Sequence, residues 1–259
     1  MTLVVTEAVV LHAFDYLESS RIMRLITRDS GIQSVLARGA RSSRKRFGTS
    51  LDVFAHGTAE YSTRPGRDLN TLTAFDVTRA RPELAADVSR FTGACVLAEM
   101  ALRFSSDEPH PGLFDAFVAG LDTIGTAGAD ATVSRTLSAA WHIVGELGFA
   151  PALDVCANCH TPLAAGARTP FSHVAGGALC DRCARLVAGA RPIPPEARAA
   201  LGEWLAGSPV EISSPAEGRA HQRLLREFLD QHLSEGKKLI AYGMWEQELL
   251  VTNDPVASR

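Results

Sequence analysis

Apolar and polar positions alternate with a period near two through the first 80 residues; beyond Arg81 the period lengthens to about 3.6. The first stretch is rich in Val, Ile, Leu and Thr and is punctuated by turn residues. It predicts five strands, at Leu3–Ala13, Arg21–Arg28, Ile32–Arg38, Asp52–Ser62 and Leu69–Thr78. Asp29-Ser30-Gly31 supplies a tight turn between the second and third. Past Arg81, Pro82 suits a first helical turn, and the stripe Val88, Phe91, Cys95, Ala98 and Leu102 predicts a buried helix face. Further helices are expected over Pro111–Ile124 and along Val133, Leu137, Trp141, Val144 and Leu147. Another should start at Ser214-Pro215-Ala216-Glu217, where Ser caps, Pro sits first and Glu closes a capping box. Its inward face would be Ala220, Leu224, Leu225, Phe228 and Leu229.

Five strands in so short a segment match an oligonucleotide-binding (OB) barrel, and an SH3-like barrel fits the count nearly as well. The expected fold class is therefore α+β multidomain. Residues 1–80 would form a five-stranded OB-fold β-barrel, and residues 81–259 an α-helical domain with an embedded four-cysteine zinc finger at about residues 153–187.

The finger rests on Cys156-Ala157-Asn158-Cys159 and Cys180-Asp181-Arg182-Cys183. Each Cys-x-x-Cys knuckle directs two sulfurs at one ion, and two knuckles complete a tetrahedral Zn²⁺ site. Pro162, Gly166, Pro170, Gly176 and Gly177 between them read as a turn-rich ribbon. Two disulfides are the competing use of four cysteines, but they belong to an oxidising compartment. A thioredoxin-like redox pair would need a βαβ setting that the pattern lacks. With four sulfur ligands no coordination position stays open, so the ion would be structural; His160 and His173 are near enough in sequence to replace a cysteine or to support one.

Composition narrows the class. At 259 residues with 46% hydrophobic content the chain can bury a large core. No apolar run approaches membrane-spanning length, and the N-terminus lacks a basic leader region, so a cytoplasmic protein is expected. The net charge of −3 conceals an asymmetry: residues 1–80 hold 11 Lys and Arg against 8 Asp and Glu, and the remainder is acidic.

Much of that excess is one run. Arg38, Arg41, Arg44, Lys45 and Arg46 place five cations within nine residues, among Gly39, Ala40, Ser42 and Ser43. Small residues let phosphates approach the backbone, and guanidinium groups grip them bidentately without regard to base sequence. A solvated loop would look the same in isolation. Arg64 and Arg67, in the connection between the fourth and fifth strands, favour nucleic acid because that loop flanks the binding face of an OB barrel. Tyr16, Phe47 and Tyr61 are candidate base-stacking rings, although aromatics in small barrels more often fill the core. Neither a phosphate-cradling Gly-rich loop followed by Lys-Ser or Lys-Thr nor a carboxylate cluster for two-metal chemistry occurs, so an enzyme reading lacks a site.

The stretches Glu7-Ala8-Val9-Val10-Leu11-His12, Leu25-Ile26-Thr27-Arg28-Asp29-Ser30-Gly31, Ala37-Arg38-Gly39-Ala40-Arg41 and Asp68-Leu69-Asn70-Thr71-Leu72, with Gly176-Gly177-Ala178-Leu179-Cys180 at the second knuckle, resemble the RecO family of bacterial recombination mediators. The resemblance implies an OB barrel, a helical domain and a zinc finger that some members have lost. It implies binding of single- and double-stranded DNA, annealing of complementary strands, and loading of the recombinase RecA together with RecR and single-stranded DNA-binding protein. It also implies residence at the bacterial nucleoid, and it carries DNA contact onto Arg38 and Arg41. Two other classes stay open: a zinc-ribbon protein-interaction adaptor without DNA binding, and a zinc hydrolase with an open coordination site.

Overall fold

A computed structural model of the chain describes residues 2–40 and 51–251. Arg41, Arg44, Lys45, Arg46 and Phe47 therefore lie outside the described residues. The chain divides into two compact units, Met1–Thr126 and Ala127–Arg259.

In the first unit β1 (Thr2–Tyr16), β2 (Ser20–Thr27), β3 (Gly31–Ala37), β4 (His56–Thr63) and β5 (Leu69–Arg79) form a closed barrel in the order β1-β2-β3-β5-β4. All neighbours pair antiparallel except β3 with β5, where Ser34 stands opposite Leu69 and Ala37 opposite Leu72. Closure leaves no open sheet edge, as expected of an OB-type barrel. Ala8, Val10, Met23, Leu25, Val35, Leu72 and Phe75 fill the interior. Tyr61 is fully buried among them, so this ring is a core residue rather than a base platform.

β1 carries an irregularity between Val10 and His12. Before it the even-numbered Val4, Ala8 and Val10 face the core; after it Ala13 does. One inserted residue reverses every later side chain, so His12, Phe14 and Tyr16 point outward. The Val10 backbone pairs instead with the segment before β4, donating to the Ala55 carbonyl (3.0 Å) and accepting from the Phe54 amide (2.7 Å). That segment was expected to open the fourth strand at Asp52. It is a turn, because Phe54 adopts a left-handed φ of 70° and buries its ring.

The predicted turn between β2 and β3 is present, with Gly31 at φ 57°. A Cβ there would lie 2.3 Å from the Glu108 carbonyl oxygen, so both the backbone angle and the close approach demand glycine.

The helix expected from Pro82 is interrupted. α1 (Pro82–Ala85) stops, and the Asp87 carboxylate caps α2 (Val88–Phe104) by accepting from the Arg90 amide at 2.9 Å. Its buried face is also rotated from the expected stripe. Gly93, Ala94, Leu97, Met100 and Ala101 are inside with Ala98, whereas Val88 and Phe91 are exposed and Cys95 and Leu102 only partly covered. A helix apolar on most sides carries little phase information, and here small residues permit the close packing on α3 (Pro111–Thr126).

Ion pairs fasten these helices to the barrel. The Arg81 side chain is fully buried, its Nε on Asp122 of α3 at 2.8 Å and an Nη on the Phe54 carbonyl at 3.0 Å. Arg79 reaches the other Asp122 oxygen at 2.6 Å. Arg28 bonds Glu7 and Asp115, each at 2.7 Å, while its guanidinium lies 4.7 Å from the centre of the Phe114 ring.

In the second unit α4 (Thr132–Glu146) packs on α6 (Pro195–Leu205) and α7 (Pro215–His232), with Trp141 against Phe228 at 5.3 Å. Ser214 caps α7 as expected, but the Glu217 carboxylate accepts from the Ser213 amide, one residue before the position a capping box uses. Leu225, Phe228 and Leu229 are buried; Ala220 is exposed and Leu224 half-buried, because they line an open groove of about 530 Å³ together with Ile193 and Pro194, while His221 and Gln222 take the inward positions.

Replacing Asp122 with Ala leaves the buried Arg81 guanidinium without its counter-ion, and a loss of about 3 kcal/mol is expected, since breaking a buried pair from one side costs roughly that much. Urea unfolding of Asp122→Ala and Asp122→Asn measures it; an unchanged midpoint in both would show that the pair does not hold barrel to helix.

Candidate metal centre and nucleic-acid interface

The two knuckles meet through backbone geometry. In the first, the Cys156 amide donates to the Thr161 carbonyl (2.8 Å) and the His160 amide to the Cys156 carbonyl (2.8 Å), with His160 at φ 58° closing the turn. In the second, the single-turn helix α5 (Asp181–Ala184) follows Cys180 directly. A three-stranded sheet, β7 (Gly177–Ala178), β6 (Thr169–Ser172) and β8 (Arg191–Ile193), spaces them. Gly177 at φ 152° lets the chain pass Ala152, whose carbonyl oxygen would sit 2.3 Å from any Cβ. The Ala178 amide donates to that oxygen at 2.8 Å, and the Ala157 amide to the Ala178 carbonyl at 2.8 Å, which ties one knuckle to the other.

Cys156, Cys159, Cys180 and Cys183 then place four sulfurs within 4.8 Å of one another, the Cys159–Cys180 pair at 3.8 Å. Thiolates at the usual 2.3 Å around a tetrahedral ion stand about 3.8 Å apart. All four cysteines are free thiols, and the 3.8 Å between the Cys159 and Cys180 sulfurs is well beyond the length of a disulfide bond. His160 and His173 are not part of the group. His173 instead faces Glu227 at 3.1 Å, and burial holds its imidazole below the ordinary range.

The electrostatics also call for a cation. The Thr161 hydroxyl, with the Thr161 amide, brings Cys159 down to about 5. Burial, and then the adjacent Cys180 and Cys159, push Cys183 up to about 11, because neighbouring sulfurs cannot all carry charge alone. Burial raises Cys156 too, but the amides of Cys180, Cys159 and Asn158 bring it below its usual value. A bound divalent ion would favour four thiolates at once. The Arg182 guanidinium, held charged chiefly by its hydrogen bond to Cys159, offsets part of the negative charge such a centre carries. Around the sulfurs the ribbon's own core is slight: Leu179 is buried with Cys156 and Cys183, and Leu163, Val187 and several alanines are partly covered. The thiols are themselves the core, so the residues fit a structural metal.

On the barrel, Arg38 is exposed directly after β3. Arg64 and Arg67 are exposed in the turn between β4 and β5, where the Arg67 amide donates to the Arg64 carbonyl at 3.2 Å around Gly66. These cations do not form one cluster. Leu69 pairs with Ser34, four residues before Arg38, so Arg38 lies about 13 Å along the strands beyond the level of Leu69, while Arg64 and Arg67 precede Leu69 at the other end of the β3–β5 pair.

Barrel, helices and four-thiol centre together define a multidomain OB-fold protein with an embedded metal finger. Comparison with known sequences agrees: the family described as "Recombination protein O N terminal" matches residues 1–81, and "Recombination protein O C terminal" matches residues 85–239. A DNA repair protein RecO from Anaeromyxobacter sp. (strain K) is 38% identical over 241 residues, covering 90% of this chain and 92% of the relative. Another from Nocardioides sp. (strain ATCC BAA-499 / JS614) is 34% identical over 242 residues, covering 91% and 97%. The chain belongs to the RecO family, and its role lies in DNA repair. None of its described helices is long and apolar enough to cross a membrane.

Purified protein should carry one metal ion per chain, and Cys156→Ser should lose it and destabilise the ribbon, read by elemental analysis and thermal melting. Because Cys183 sits near 11 without metal, binding displaces its proton; apparent affinity should fall about tenfold per unit drop in pH for each proton displaced. Metal-free protein with four reactive thiols and an unchanged melting point would contradict this.

Proposed function

We propose that the chain binds single- and double-stranded DNA without sequence preference, anneals complementary strands, and helps load the recombinase RecA together with RecR at DNA coated by single-stranded DNA-binding protein. The observation that carries this reading is the joint match of both halves of the chain to the RecO family, whose curated relatives are named as DNA repair proteins. The closed OB-type barrel supports it independently of the name, since this architecture commonly presents strands and loops to oligonucleotides.

The action is electrostatic and non-catalytic. Arg38, Arg41, Arg44, Lys45 and Arg46, with Arg64 and Arg67, neutralise phosphates on two strands, lower their mutual repulsion and let complementary bases meet. The DNA-contacting module is residues 1–80. Residues 81–259 form the scaffold that meets protein partners, and the protein as a whole resides in the cytoplasm in association with the nucleoid. The ion held by Cys156, Cys159, Cys180 and Cys183 is Zn²⁺: four thiolates suit a soft tetrahedral ion, and full sulfur coordination leaves no position for water, which makes its contribution structural.

Salt dependence tests the contact. Replacing Arg44, Lys45 and Arg46 with Ala should weaken single-strand binding alike for unrelated sequences, make the plot of log affinity against log salt shallower by about 2, and reduce annealing in step. Thermal stability should stay within about 0.5 kcal/mol, since the proposed role of these cations is phosphate contact and not folding. Wild-type protein with no affinity for DNA at low salt would instead support an adaptor that touches only proteins.

A further inference from the structure

The irregularity in β1 has a consequence on the outer barrel wall. His12, Phe14 and Tyr16 project from alternate positions of one strand, all exposed, with Phe14 at 44% and Tyr16 at 42%. His12 and Phe14 stand 5.7 Å apart at 47°. At about 3.4 Å per residue the three rings span about 14 Å along β1. A surface line of rings is unusual for a small barrel, whose aromatics normally fill its interior, as Tyr61 and Phe75 do here.

Beside the rings lies a shallow concavity of about 520 Å³. Strand register builds its floor: His12 pairs with Arg24 and Phe14 with Ile22 on β2, Arg24 pairs with Ser34 on β3, and Ser34 with Leu69 on β5. Leu102 of α2 closes one side, and Asp68 is the carboxylate among the lining residues. Arg24 forms no ion pair or hydrogen bond among the described residues, and its Nε is buried without a partner. Its neighbour on the same strand, Arg21, differs in being held by Asp15 at 3.1 Å. The floor therefore offers an uncommitted cation beside an aromatic row.

The two ends of the face are basic. Leu69, in the row of His12 and Arg24, follows the turn that carries Arg64 and Arg67. At the far end Tyr16 pairs with Ser20, and β3 runs out beside it into Arg38. A chain laid along β1 would meet cations on entering and leaving, and rings between.

We propose that this outer face of β1, β2 and β3 is a stacking platform for single-stranded DNA, with unpaired bases on His12, Phe14 and Tyr16 and a backbone phosphate at Arg24. The inference rests on the DNA-binding reading above and adds to it a contact that distinguishes strand types. Phosphate-gripping loops serve duplex and single strand alike, whereas a ring can stack only on a base that has left the duplex. Charge complementarity selects this occupant, since an anionic chain matches Arg24, Arg38 and the Arg64–Arg67 turn while its bases match the rings. Such a platform would hold separated strands with their bases accessible, the state annealing requires.

The test uses the full-length protein with a fluorescein-labelled 30-nucleotide oligo(dT) and a 30-base-pair duplex. Phe14→Ala should weaken oligo(dT) binding roughly five- to a hundredfold, the range for loss of one stacked ring, with duplex affinity changed by less than about twofold and the salt slope unaltered. Phe14→Tyr should bind as wild type. Arg24→Ala should weaken oligo(dT) binding and make the salt slope shallower by about 0.7, one phosphate contact on a single strand. Phe14→Trp provides a readout independent of affinity, because the chain's own Trp141, Trp204 and Trp245 are buried; its emission should be quenched as oligo(dT) saturates. If wild type binds both DNAs while Phe14→Ala binds oligo(dT) equally well and the Phe14→Trp emission stays unmoved, the platform is disproved and the DNA-binding reading stands. Wild type that binds neither DNA overturns both.

Discussion

The buried guanidinium of Arg81 is the interaction on which the first unit depends. It sits where the barrel gives way to helices and joins two parts that sequence separates widely: the Phe54 carbonyl under the barrel and Asp122 of α3. Phe54 is itself bound to Val10 of β1, so an unbroken path of hydrogen bonds runs from a barrel strand through Phe54 and Arg81 to a helix. A charge with no exposed side-chain surface tolerates little rearrangement of its partners, because any loosening leaves it desolvated and unpaired. This is the physical reason that the helices up to Thr126 form one compact unit with the barrel.

The same segment shapes the barrel's outer surface. Val10 gives its backbone groups to Phe54 and Ala55, and β1 resumes with its faces exchanged. Without that extra residue His12, Phe14 and Tyr16 would point into the core, where three rings would overfill a small barrel. A local accommodation in one strand thus decides which residues meet solvent, and through them what the barrel can hold.

The second unit solves a different problem. Its ribbon has little apolar mass, and four cysteine sulfurs occupy the place where a core would be. Burial, with the neighbouring sulfurs after it, raises Cys183, while the Thr161 hydroxyl and amide lower Cys159; a divalent ion would favour the thiolate at both. The ribbon's second tie is Arg198 of α6, which reaches Thr169 at 2.8 Å and the Ala164 carbonyl at 2.6 Å, while Phe171 of β6 lies near Phe228 of α7. The helices therefore brace the finger on one side, and the four-sulfur group that could hold an ion gathers it on the other.

Sequence alone determined the features set by short-range chemistry. The five strands, the glycine turn at Gly31, the proline start and serine cap of α7 and the two knuckles are each written in a few consecutive residues. Spacing alone also fixes that two Cys-x-x-Cys pairs can share one ion. What depended on distant partners was legible only in the tertiary structure. The buried face of α2 was set by its packing against α3, because the helix's own pattern was apolar nearly all round. Tyr61 and Phe14 are equally aromatic in sequence, yet strand register and one inserted residue put the first in the core and the second on the surface. Sequence put Arg38 after the third strand and Arg67 between the fourth and fifth without relating the two in space, and the parallel pairing of β3 with β5 set them at opposite ends of a face. Periodicity encodes which residues alternate; the direction in which an alternation points is fixed only when the strands close into a barrel and the core has a side.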